Sequence, residues 1–217
     1  MTFKKIINAV LLRMREATAS DWSGEINDSE TTDDYHKLIG ELVNETKQTV
    51  EDSWNWGVLR TIETVTTASG TTEYTMDDLT TRSRIMQIFD STNNAVLKQI
   101  SDEAFYNYTF LGSTTDTQPQ YYRLKGNTIS FYPTPDAAYT IKVHAAQPQD
   151  DLTNYDDEVT VPSNLIVLGT YALALAERGE DGGSVSDVAA QRFTNALTDA
   201  ITQDEIRTVN ETTWNAS

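Results

Sequence analysis

"GNTISFYPTPDAAYTIKVHAAQP", residues 126–148, decides how the middle of this chain folds. Ile129 and Phe131 fall on one side of an extended segment, with Thr128, Ser130 and Tyr132 on the other. Past the prolines the alternation resumes, with Tyr139, Ile141, Val143 and Ala145 set against Thr140, Lys142 and His144. Each run is a half-buried strand. Pro133 and Pro135 remove ladder donors and restrict φ, and Asp136 can close an Asx turn, so the stretch predicts a stiff hairpin whose reversal lies outside the ladder. Just upstream, Tyr122 and Leu124 share one face of "QYYRLK". Gly126 and Asn127 then form a two-residue turn of the primed kind, which extends the expectation to a three-strand meander.

The flanks of this block read as helix. Phe3, Ile6, Ile7, Val10, Leu11 and Met14 have the spacing of one helical face, and a second stripe runs from about Thr32 through Tyr35, Leu38, Ile39, Leu42, Val43, Thr46 and Val50. Gly57 after "WNW" is the expected C-cap. From Arg60 the period changes to that of strands. "RTIETVTTASGTTEYTM" turns at Ala68 to Gly70, and "RSRIMQIFDSTNNAVLKQI" turns at Asn93 and Asn94, for about seven strands up to Ala146. A short helix interrupts them at "SDEAFYNY", with Ser101 as N-cap and Asp102 and Glu103 in its positive first turn.

After Pro162 the helical period returns in Leu165, Leu168, Ala172 and Leu175 up to Gly179. A last helix carries Val185, Val188, Ala189, Phe193, Ala196, Leu197, Ala200 and Ile201. The predicted fold is therefore α+β. Residues 1–58 and 160–203 form a four-helix bundle, residues 59–150 an inserted antiparallel β-sandwich or barrel-like domain, and residues 151–159 an acidic linker. Residues 204–217 form an extended arm, in which Ile206, Val209 and Trp214 stand out from a polar background and point to docking on another chain.

Composition narrows the functions. The chain of 217 residues carries 16 Lys and Arg against 33 Asp and Glu, a formal charge of -17, which repels nucleic acid and anionic membranes. No run approaches the roughly 18 apolar residues of a membrane span. There is no cysteine, so disulfide and thiolate chemistry are excluded, and the two histidines, His36 and His144, do not make a histidine-rich metal site. The acids of "QDDLTNYDDE", residues 149–158, lack the glycine and terminal glutamate of a calcium loop and read as a solvated linker. No phosphate-binding glycine loop, nucleophile elbow or HExxH occurs, and the reading is of a protein that is not an enzyme and uses no cofactor or metal. His144 lies in the polar phase of its strand and reads as exposed.

Two function classes remain. The many aromatics of the β block, Tyr74, Phe105, Tyr106, Tyr121 and Tyr132 among them, could stack on sugars, as in a carbohydrate-binding β-sandwich module of a phage tail or secreted protein. Such modules have no use for four terminal helices. The order of parts is a helix pair, a β block that starts after a Trp, "PQYYRLKGNTISFYPTPDAAYTIKVHAAQP", an acidic stretch, and "VPSNL" opening an alanine-rich helix. It resembles the phage head-to-tail adaptors of the tail tubular protein A and head-completion (neck protein) type. Gly126, Ile129, Phe131, Tyr132, Pro133, Pro135 and Asp136 carry the likeness, with "SGTTEYTM" in support and Asp77 departing from the proline expected after that strand.

The resemblance implies a structural virion protein, assembled in the host cytoplasm and lodged in the neck. It implies a homo-oligomeric ring of about twelve copies, bound to the portal protein above and to a tail nozzle or tail tube protein below. DNA would pass through the ring without specific binding, along a negative wall. On this reading the hairpin residues Tyr132, Pro133, Pro135 and Asp136 form an assembly surface, and the arm residues Ile206, Val209 and Trp214 contact the portal or a neighbour.

Overall fold

The computed structural model describes residues 1–18, 22–26, 33–112, 115–179 and 183–207. Their contacts separate two compact units, Met1–Leu59 with Gln149–Ser217, and Arg60–Pro148. The fold is α+β. Its helices are α1 (Phe3–Met14), α2 (Asp34–Ser53), α3 (Asp102–Leu111), α4 (Ser163–Arg178) and α5 (Ser184–Arg207).

In the first unit, all six stripe residues of α1 are buried. Helix α4 buries Leu165, Ile166, Val167, Gly169, Thr170, Ala172 and Ala174, more than one stripe, because α1, α2 and α5 all pack against it. Its small residues set those distances. A Cβ built on Gly169 would stand 2.5 Å from Thr46 Cγ2 of α2 and 3.1 Å from Phe193 Cε2 of α5, so any side chain there pushes two helices away.

The chain differs from its sequence-based reading at three places in this unit. Helix α2 ends at Ser53, four residues before Gly57, and Gly57–Leu59 begin a 3-10 turn instead of capping the helix. The stretch 151–159 is not a solvated linker throughout: Leu152, Tyr155 and Val159 join the core while Asp151, Asp156 and Glu158 stay exposed. Finally, α5 runs to Arg207, so the segment from Asp204 to Arg207, expected in the extended arm, is helical. Asp204 explains the extra turn. Its carboxylate accepts hydrogen bonds from Trp54 Nε1 at 3.1 Å and from the Gly57 amide at 3.0 Å, which fastens the end of α5 to the chain after α2.

The second unit holds two sheets. The first has the order β1 (Arg60–Thr66), β8 (Thr140–Ala146), β3 (Arg84–Asp90), β4 (Ala95–Val96). The second has the order β2 (Glu73–Thr75), β7 (Thr128–Tyr132), β6 (Tyr121–Lys125), β5 (Lys98–Gln99). The tight turn at Gly126 forms as expected: β6 and β7 pair in antiparallel register from Tyr121↔Tyr132 to Lys125↔Thr128, and Gly126 takes the positive φ, +58°, of a primed turn.

The hairpin expected within residues 126–148 does not form. β7 pairs with β6 and β2, whereas β8 pairs with β1 and β3, so the proline segment carries the chain from one sheet to the other. Both prolines lack the N–H that a ladder would need, and the Tyr132-Pro133 bond is cis. The nearby carbonyls are taken by other loops instead: Thr117 N donates to Thr134 O at 2.9 Å and Gly70 N to Pro135 O at 2.8 Å. The chain also changes sheet between β1 and β2, between β2 and β3, and between β4 and β5. Strand β5 then runs parallel to β6, which makes the second sheet mixed and not purely antiparallel. One apolar cluster draws on both sheets, with Val65, Ile88, Ile141, Val143 and Ala145 from the first and Tyr122, Ile129 and Phe131 from the second.

Glu63 faces the same way as Val65 on β1 and is 7% exposed. Its Oε1 accepts from the Asp78 amide at 3.4 Å, while Oε2 is buried without a hydrogen-bond partner. Burial raises its pKa above the ordinary 4.5, an effect partly offset by backbone hydrogen bonds. The sign follows directly. Below pH 4.5 Glu63 is protonated whether folded or unfolded, and its share of stability is fully present; it is lost as pH rises through the folded value, since the buried carboxylate must then be ionised. Glu63→Gln is therefore expected to match the wild type in acid and to become the more stable of the two toward neutral pH. Paired denaturant titrations across that range check this, and a constant difference at every pH would refute it.

Candidate assembly surface

The residues singled out by sequence are distributed between the two units. Tyr132 ends β7 and is half-buried, its ring stacked on Tyr108 of α3 at 5.2 Å. Pro133 is half-buried and Pro135 buried, so the prolines shape the link between the sheets more than they offer surface. Asp136 is exposed and accepts a hydrogen bond of 2.6 Å from the Tyr139 hydroxyl, which raises the pKa of that phenol. Ile206 lies in the last turn of α5, 77% exposed. Val209 and Trp214 lie outside the described residues. His144, read as exposed, is half-buried.

Sequence reasoning passed over the residue that organises the outer side of the second sheet. Arg123 alternates with Tyr122 and Leu124 and by period should reach solvent, yet it is 4% exposed. Its guanidinium lies over the Phe105 ring at 4.3 Å and near Tyr106 at 5.1 Å, both on α3. It also pairs with Glu73 of β2 at 3.1 Å and Asp102 of α3 at 3.6 Å, and donates to Ser130 of β7 at 3.1 Å. One cation thus ties three strands to a helix. The helix is nucleated as expected, Ser101 Oγ accepting from the Ala104 amide at 3.2 Å. The missed signal was the pairing of Arg123 with an aromatic, doubly acidic helix start at residues 101–106.

A second cluster, in the helical unit, was equally hidden. On α2, Asn44, Lys47 and Glu51 interrupt the apolar stripe at helical spacing, and all three are buried. They grip the chain where it re-enters this unit. Lys47 Nζ donates to the carbonyls of Gln149 at 2.6 Å and Asp150 at 3.0 Å, and lies 3.5 Å from Glu51 Oε1. That same oxygen accepts from the Gln149 amide at 3.2 Å, while the Asn44 side chain bonds both the amide and the carbonyl of Leu152. The cluster is structural, serving backbone groups that would otherwise be buried unpaired.

Among the described residues, no group of three or more His, Cys, Asp or Glu side chains could hold a metal ion, and no helix is long and apolar enough to cross a membrane. What the molecule offers is surface. α3, clamped from below, turns Tyr106, Phe110 and Leu111 outward, and α5 leaves Val185, Val188 and Ile206 about half exposed or more. Apolar side chains exposed in this way are the kind of surface that an interaction protein presents to its partners.

The chain belongs to the SU10 adaptor protein family, whose model matches residues 1–215. It is a structural adaptor of the phage head-to-tail type. No curated protein matches the sequence.

Proposed function

We propose that the protein forms a homo-oligomeric ring of about twelve copies, seated in the virion neck between the portal and the tail nozzle or tail tube, and lines the passage for DNA. The observation that carries this reading is family membership across residues 1–215, a span that takes in both units and leaves no part for a separate carbohydrate module. The helical unit, read as a four-helix bundle, is the ring body. The β unit, read as a sandwich, supplies faces for neighbours and tail, and the link through Tyr132, Pro133, Pro135 and Asp136 holds that geometry. With a formal charge of -17, the ring presents a wall that DNA passes in either direction without being held.

The end of the chain is the portal contact in this reading. Ile206 opens it from the last turn of α5, and Val209 and Trp214 follow. An interface Trp of this kind costs about 2 kcal/mol or more when truncated, and repetition around a ring multiplies the effect through avidity. The test is to delete residues 208–217 and, separately, to make Trp214→Ala in particles that carry the portal. Both variants are expected to keep the wild-type melting temperature, yet to be lost from purified particles. Unchanged occupancy would move the portal contact onto the helical unit. Wild-type particles with one or two copies at the neck, counted by mass, would end the ring reading.

A further inference from the structure

The end of α5 borders an open groove of about 560 Å³ that lies wholly within the helical unit. Ala196, Ala200 and Arg207 fall at helical spacing and make one wall, and Trp56, Val58 and Pro162 belong to the other side. The two alanines are what leave the room, since a methyl group keeps α5 from filling the space with its own side chains. Trp56 is 2% exposed, whereas Val58 is 56% exposed and has nothing over it among the described residues. The walls are held in place beforehand. Asp204 fastens the end of α5 to Trp54 and Gly57, so little order remains to be imposed on the groove when something covers it.

Charge does not select the occupant, because Asp199, Asp204 and Arg207 line the groove together and both signs are present. Reach does. The described chain stops at Arg207, itself part of the wall, and the segment "TVNETTWNAS", residues 208–217, comes next. From Ala196 to Arg207 the helix rises about 16 Å, and the stretch from Arg207 to Trp214 reaches about 23 Å when extended. Trp214 can therefore lie anywhere along the wall. A segment on so short a tether is present at an effective concentration on the order of 1 mM, so a contact with a dissociation constant of about 0.1 mM between separate chains is about nine-tenths formed within one. Any untethered occupant must displace it.

We infer that residues 208–217 dock in this groove of their own subunit before assembly, with the Trp214 indole covering Val58 and the two alanines. Trp214 is the large apolar side chain of the segment, and the groove offers it an apolar wall within reach. The release step, and it alone, rests on the portal reading above. One indole cannot sit in the groove and on the portal at once, so the groove withholds the contact until a portal competes for it. A tenfold bias toward the docked form changes folding stability only by the logarithm of that factor. Proximity is the sharper readout.

The absence of cysteine makes proximity measurable. Two full-length double variants are treated at low concentration with a short flexible bismaleimide. One pairs Asn215→Cys with Asn164→Cys on the groove; the other pairs it with Thr198→Cys, which is exposed on α5 between Ala196 and Ala200 but does not line the groove. The groove pair is expected to link within one chain about tenfold faster than the control pair, the docking bias. Adding Trp214→Ala is expected to bring it down to the control rate, and an undiminished rate overturns Trp214 as the anchor. Equal rates for the two pairs overturn the docking itself, whatever the particle assay says of the portal. Links between chains in place of links within them mean that another copy's segment fills the groove, and overturn it too. Purified portal protein is expected to slow the groove pair to the control rate. A groove pair that stays fast in portal-bound subunits leaves the docking standing and removes the portal contact of this segment instead.

Discussion

Replacing Lys47 by alanine is expected to destabilise the helical unit by about 3–5 kcal/mol, the range for breaking a buried ion pair from one side. Lys47 and Glu51 are both 0% exposed, so neither charge is relieved by water. The loss has two parts. The ammonium beside the Glu51 carboxylate disappears, and the carbonyls of Gln149 and Asp150 lose a charged donor in the interior. Lys47→Met separates these terms from simple loss of volume, since it keeps most of the aliphatic stem. It should retain most of the deficit. Amide exchange over residues 149–152 should quicken in both variants, because this segment is held to α2 by Asn44, Lys47 and Glu51. A methionine variant within about 0.5 kcal/mol of wild type, the scatter of ordinary neutral substitutions, would show that the charge adds nothing there.

Phe131→Ala should cost a similar amount, about 3–5 kcal/mol, in the β unit. The ring is 0% exposed, sits 5.6 Å from Tyr74, and belongs to the cluster that both sheets share. Strand β7 is the second sheet's centre, flanked by β2 and β6, so the cavity opens where two ladders depend on it. Each unit has its own apolar cluster. The helical signal in circular dichroism is therefore expected to melt near its wild-type temperature while the strands melt early. Simultaneous loss of both signals at one lowered temperature would mean that the two clusters unfold as one cooperative system.

Much of the local structure was legible because it depends on near neighbours in the chain. The α1 stripe, the Ser101 cap and the Gly126 turn each express a period or a short-range hydrogen bond, and each formed as read. The hairpins around the prolines and at Ala68 to Gly70 were misread for a definite reason. Alternation reports that one face of a strand is buried, and it does so equally whether the next strand pairs beside it or lies in the other sheet. The prolines at 133 and 135 said only that the ladder stops. They did not say where the chain goes next.

The site was less legible than the fold. Exposure of Phe110 and Leu111 could not be told from burial in a sequence where similar residues, such as Phe105, are in the core. Arg123, Lys47 and Glu51 look like solvent-facing residues by type, and are buried because each meets partners 50 or more positions away, or an exposed backbone that needs satisfying. By itself, the sequence determined the α+β class, the helical ends around a β-rich middle, the strong negative charge and the adaptor resemblance. Only the tertiary structure decided which strands share a sheet, that Asp204 extends α5, and that buried ions tie α3 and the re-entering chain in place. Periodicity is a local property of the chain, whereas strand partners and charge burial are set by contacts between residues far apart in it.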